Sequence, residues 1–131
     1  MKVTFDKSHI WGEFHELYVN NEFIARTIRI YEGSASSIHK HSTQEVLLIE
    51  SGSVIEWLED DEGKIQKKIF KKGDIVKVPE NRWHRLEFHS SEFKNSEEIK
   101  FAQVLELMFG DNKGGNYKIT RLEEAFGNKK K

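Results

Sequence analysis

The architecture of this chain can be read outward from Gly33-Ser34-Ala35-Ser36-Ser37-Ile38-His39-Lys40-His41-Ser42-Thr43-Gln44-Glu45-Val46-Leu47-Leu48-Ile49-Glu50-Ser51-Gly52. His39 and His41 are two residues apart, so in an extended strand both side chains leave the same face. Glu45 follows after a short turn and can swing to meet them, while a glycine at each end lets the chain reverse. Three donors aimed at one point ask for a fourth. Pro79-Glu80-Asn81-Arg82-Trp83-His84 supplies His84 from a later strand. Imidazole nitrogen with carboxylate oxygen suits a divalent transition metal, with zinc, manganese, iron and nickel all compatible.

The spacing from Gly33 through His39, His41 and Glu45 to Gly52 resembles the first signature of the cupin superfamily, and Gly73, Pro79 and His84 resemble the second. Asn81 stands where the second signature has its inner glycine, and asparagine tolerates the left-handed backbone that selects glycine there. Phe88 replaces the polar residue that closes that signature. The resemblance implies an all-β fold, a double-stranded β-helix or jelly-roll barrel, formed by residues 1–131 as a single cupin domain with its motifs at 33–52 and 73–88. It implies that His39, His41, Glu45 and His84 hold the metal inside the barrel. By analogy it also implies a homodimer.

The rest of the chain agrees with such a barrel. Residues 23–32 alternate, with Ile24, Ile28 and Ile30 on one face and Arg26 among them. A guanidinium on an apolar face needs a carboxylate or an anionic ligand. Strands are expected at 46–49, 53–59, 65–70 and 75–78, with a hairpin turn at Asp60-Asp61-Glu62-Gly63-Lys64 and Pro79 ending the last. In the following strand His84, Leu86 and Phe88 share the inner face, which turns Arg85 and Glu87 outward. Residues 99–109 are apolar on both faces and suit a buried strand or a dimer interface. The stretch 3–14, with its Trp11-Gly12 turn, is expected across the outside of the barrel or against a partner. Thr120-Arg121-Leu122-Glu123 reads as a capping box opening a short C-terminal helix to Phe126.

Composition narrows the function classes. The 131 residues carry 21 basic and 22 acidic side chains, a net charge of -1, and no cysteine. No global field draws the protein to nucleic acid or an anionic membrane, and disulfides and thiolate catalysis are excluded. The N-terminus lacks the apolar core of a signal peptide, and no run is long enough to span a membrane, so the expected location is cytoplasmic. His9, His15 and His89 match no ligand position and are read as ordinary surface or interface residues.

Outside the two signatures the chain resembles the cupin domain of type II mannose-6-phosphate isomerases. The similar pieces are Trp11-Gly12, the run from Asn21 to Arg26, His84-Arg85-Leu86-Glu87, the run from Leu105 to Gly110 and the run from Ile119 to Gly127. That branch carries Gln at the position of His39 and Arg at that of Thr43, so this chain has the all-histidine set with glutamate. The resemblance implies aldose–ketose isomerisation of a sugar or sugar phosphate. Glu106 would be the base that moves a proton between adjacent carbons, and Arg26 would neutralise a phosphate or the developing oxyanion. Competing expectations are a nucleotide-sugar epimerase or ketoisomerase, a metal-dependent dioxygenase, and a non-catalytic sugar-binding cupin.

Overall fold

The computed structural model describes residues 11–110 in full and the backbone of 6–9 and 119–121. Its strands are β1 (Asp6–His9), β2 (Gly12–Val19), β3 (Phe23–Tyr31), β4 (His39–His41), β5 (Gln44–Ser51), β6 (Ser53–Glu59), β7 (Ile65–Lys71), β8 (Ile75–Val78), β9 (His84–Ser90), β10 (Phe101–Phe109) and β11 (Ile119–Arg121). They form two sheets, β1-β2-β3-β10-β5-β8 and β11-β4-β9-β6-β7. Neighbouring strands run antiparallel throughout. The all-β jelly-roll expectation therefore stands.

Alternation decides what each sheet turns inward. Ile28 and Ile30 of β3, Ala102 and Val104 of β10, Leu47 and Ile49 of β5, and Val76 and Val78 of β8 meet Val54 of β6 and Leu86 of β9 in one core. Each large aliphatic side chain so buried contributes about 1.5–3 kcal/mol. β10 lies between β3 and β5, with Leu105 opposite Thr27 on one side and Leu48 on the other. Its Ala102, Val104 and Met108 face is buried in the core, while Leu105, Leu107 and Phe109 on the other face are half-buried.

Two backbone positions hold the motifs in place. Gly52 has φ +74°, and a Cβ there would sit 2.8 Å from the Ser90 carbonyl oxygen, so both conformation and space select glycine. Asn81 has φ 58°, the left-handed conformation expected of it, and its N–H donates to the His41 carbonyl at 2.8 Å. The turn before His84 is thereby tied to the end of β4.

Two expectations need correction. The stretch expected across the outside of the barrel or against a partner contributes the β1–β2 pair at the edge of the first sheet, and Trp11 lines the cavity in place of lying across the outer wall. Gly12 permits this approach, since a Cβ there would meet the Arg29 carbonyl oxygen at 1.8 Å. Ile119–Arg121 pairs with β4 as β11, reaching the expected start of the C-terminal helix, whose N-cap is itself extended. The rest of that helix, 122–126, lies outside the described residues. Arg85 was expected to look outward, but it is buried and lies on the lining of the same cavity as His84. The segment 34–36 lies along β9 and accepts the Arg85 Nε–H at the Ser36 carbonyl, 2.8 Å away, while the guanidinium carbon sits 4.9 Å from the centroid of the Trp57 ring. Glu87 is half-buried and accepts the Trp57 Nε1–H at 2.9 Å.

Candidate metal centre

The two sheets deliver the donors from opposite walls. In the second sheet His39 pairs directly with His84, and their rings lie 4.5 Å apart, edge to face. His41 leaves the same face of β4, its ring 5.6 Å from His39 and 5.0 Å from His84. The chain then crosses to the first sheet through Ser42-Thr43, and β5 opens with Glu45 aimed back at the imidazoles. One donor atom from each of His39, His41, Glu45 and His84 lies within 4.8 Å of the others. Donors on opposite sides of a transition-metal ion are about 4.2 Å apart. The cluster needs only a small rearrangement to close on one, with His41 and Glu45 moving slightly apart.

Backbone carbonyls aim the three rings. Nδ1 of His39 lies 2.9 Å from the Ser37 carbonyl, that of His41 2.9 Å from the Thr43 carbonyl, and that of His84 2.8 Å from the Arg82 carbonyl. A carbonyl only accepts, so each Nδ1 carries the proton and each Nε2 is left to face the centre. Outer partners of this kind fix tautomer and ring orientation in metal-binding histidines. The donor chemistry and the aiming therefore fit a divalent transition metal, which the four side chains would hold while leaving positions for a ligand.

Electrostatics reinforces the arrangement. Burial pushes the His39 ring down to about 3, with the charge of His84 adding, so its Nε2 lone pair stays available. Burial alone would raise Glu45, but the charge of His84 and the hydrogen bonds from His41 and His84 outweigh it and hold the carboxyl well below the usual range. His84 shows the reciprocal effect: burial disfavours its charge, yet the Glu45 carboxylate, 3.2 Å from its Nε2, pushes it up. A metal cation would replace the proton that this pair holds.

Arg26 and Glu106 are neighbours across β3 and β10 and form a side-chain ion pair on the inner face. Glu106 is 7% exposed, on the same face as buried Ala102, Val104 and Met108. Burial raises its carboxyl, Arg26 opposes this, and the nearby Glu45 adds to it. Both residues line a cavity of about 60 Å³ with His39, Glu45 and His84. The structure thus gathers all six sequence-derived site residues around one point, as His41 bonds Glu45 directly. Glu56 on β6 is, with Arg85, a charged lining residue that sequence reasoning missed. It lines the same cavity and is 4% exposed. A signal was there, since Val54, Glu56 and Leu58 alternate toward the inside just as Arg26 does among its isoleucines.

Two signatures at the expected spacing, a jelly-roll barrel and a converged His–His–Glu–His set are joined by one further finding. Residues 26–94 match the cupin domain family. The chain belongs to the cupins. In fold this cupin is similar to the oxalate decarboxylase of Bacillus subtilis, with a TM-score of 0.73 and 16% identity over 92% of this chain, which spans only 30% of that longer one. An RmlC-like cupin from Shewanella frigidimarina is similar over 86% of this chain and 87% of its own, with a TM-score of 0.65 and 16% identity. Mn(II) centres are described for the oxalate decarboxylase. No curated protein matches the cupin in sequence.

Proposed function

We propose that this cupin is a metal-dependent isomerase of sugars or sugar phosphates, interconverting an aldose and a ketose. The observation that carries the reading is Glu106, a buried carboxyl on the cavity wall beside the His–Glu cluster, backed by Arg26. Isomerisation needs a base that takes a proton from one carbon and returns it to the next, and burial tunes a carboxyl toward that task. Arg26 holds Glu106 by its Nε and supplies positive charge where an oxyanion or a phosphate would develop negative charge. A divalent cation held by His39, His41, Glu45 and His84 would supply polarisation of neighbouring ligand oxygens. The same reading keeps the protein in the cytoplasm as a homodimer, the latter checked by light scattering on the eluting peak.

The test is a panel of aldoses, ketoses and their phosphates incubated in D2O with the metal-loaded protein, following deuterium uptake at carbon and product formation by NMR. The expected result is interconversion of at least one pair, lowered about a hundredfold or more in Glu106→Gln. Failure across the whole panel refutes the reading.

A second reading rests on the size of the cavity. About 60 Å³ holds roughly four to six waters, at about 10–15 Å³ each. That favours a compact ligand, such as a small carboxylate of the kind named for the oxalate decarboxylase, with Arg26 as its partner. Release of CO2 from a small carboxylic acid, in place of sugar interconversion, is the outcome that selects it; oxygen uptake would select the dioxygenase.

A further inference from the structure

We propose that the groove between β7 and the segment following β9 is a docking site for an extended acidic segment of a partner protein. The inference lies outside the isomerase reading, since none of the residues lining this groove lines the metal cavity. The groove has a volume of about 640 Å³ and two apolar lips, Ile69 and Phe93, which are 54% and 50% exposed. Between them the floor is polar. Ser53 Oγ lies 2.9 Å from Nδ1 of His89 and 2.8 Å from Oγ of Ser90.

Charge says what covers it. From Lys64 to Lys77 the chain carries Lys64, Lys67, Lys68, Lys71, Lys72 and Lys77 against Asp74 alone, in a protein whose net charge is -1. All six lysines are exposed, and among the described residues none of them forms an ion pair. Asp74 is engaged, accepting the Lys71 backbone N–H at 2.9 Å. Lys71 and Lys72 line the groove with His89, opposed by the single carboxylate of Glu92. A second copy meeting this face with its own would bring the same lysines and be repelled, whereas an acidic chain is attracted.

Register sets the pattern of the occupant. Ile69 and Lys71 leave the same side of β7, opposite Ile55 and Ser53 of β6. They are two residues apart, about 6.8 Å in an extended strand. A segment lying along β7 therefore places an aliphatic or aromatic side chain between Ile69 and Phe93, and carboxylates two and three positions away against Lys71 and Lys72. Exposed ion pairs contribute little to affinity, so the apolar anchor supplies the hold while the lysines select the sign of the partner and speed its approach.

The probe is a fluorescein-labelled synthetic peptide of about nine residues with a central leucine and glutamates two and three positions to either side. Anisotropy in about 50 mM salt is expected to show saturable binding, weakened about tenfold or more by Lys71→Glu with Lys72→Glu and about threefold or more by Ile69→Ser. All three positions are exposed, so the variants should melt with the natural protein. Backbone amide shifts in 15N-labelled protein should move at 69–72 and 89–93. No saturation by about 1 mM peptide overturns the proposal. So does equal binding of a peptide with lysines for its glutamates, or of one with serine for its leucine, the latter marking a contact of charge alone. Shifts confined to other residues overturn it as well, as does a self-association that the same substitutions abolish, which would assign the groove to a second copy. No sugar or metal enters the measurement, so its failure and that of the isomerase reading are distinguishable.

Discussion

Replacing Arg26 by methionine removes the guanidinium from Glu106 while keeping most of the buried volume. In metal-free protein the stranded carboxylate can either stay charged or take up a proton. Breaking a buried pair by removing one partner costs about 3–5 kcal/mol. Proton uptake sets a ceiling: keeping a glutamate neutral at pH 7, against an ordinary value of about 4.3 and at about 1.36 kcal/mol per unit, costs about 3.7 kcal/mol. Glu106 already carries part of this cost, because burial raises its carboxyl in the natural protein, and Arg26 is 24% exposed, so water screens the pair somewhat. The expected loss for Arg26→Met is therefore about 2–3 kcal/mol near pH 7. The sign of its pH dependence follows. An acid raised in the folded state destabilises as pH climbs from its unfolded toward its folded value, so the penalty shrinks to about 1 kcal/mol or less near pH 5. Urea unfolding at the two pH values measures both numbers. Adding Glu106→Leu should return stability to within about 1 kcal/mol of the natural protein, since no orphan charge then remains. A loss below about 0.5 kcal/mol at both pH values, or one that grows on acidification, would refute the reasoning.

Three further outcomes are expected. Elemental analysis should find about one bound transition-metal ion per chain, with His41→Ala and Glu45→Ala each weakening it more than about a hundredfold; unchanged stoichiometry in both removes the metal centre. The His84–Glu45 pair gives the metal-free protein a bounded optimum: the raised His84 stabilises below about 6.5 and loses this as pH rises through its folded value, whereas the lowered Glu45 stabilises above about 4.5 and loses this on acidification. A stability that climbs steadily to alkaline pH contradicts the pair. Asn81→Ala should lower stability by about 1 kcal/mol because its φ of 58° is left-handed, while Asn81→Gly should match or exceed the natural protein in thermal melts.

Most of the site was legible because its determinants are local. His39 and His41 share a face by strand parity alone, and Gly33, Gly52 and Asn81 take the positive φ that their places in the two signatures call for. Parity put Arg26 among the isoleucines of β3, whereas β10 is apolar on both faces and only the structure turns Glu106 inward as the cross-strand partner of Arg26. Glu56 carried the same mark as Arg26, a charge within an apolar alternation. Arg85 was misjudged because parity reports a direction, while burial depends on the 34–36 segment that packs beside β9.

What the amino-acid order settles on its own is therefore strand, turn and face, since each depends on residues within a few positions of one another. Which carboxylate meets which cation is another matter. Only the register of β3 on β10, and of β4 on β9, sets Arg26 against Glu106 and His39 against His84. Packing one sheet on the other then puts Glu45 among the three imidazoles and leaves Glu56 on the cavity wall, because burial and electrostatic coupling arise only when distant walls are brought within a few ångströms.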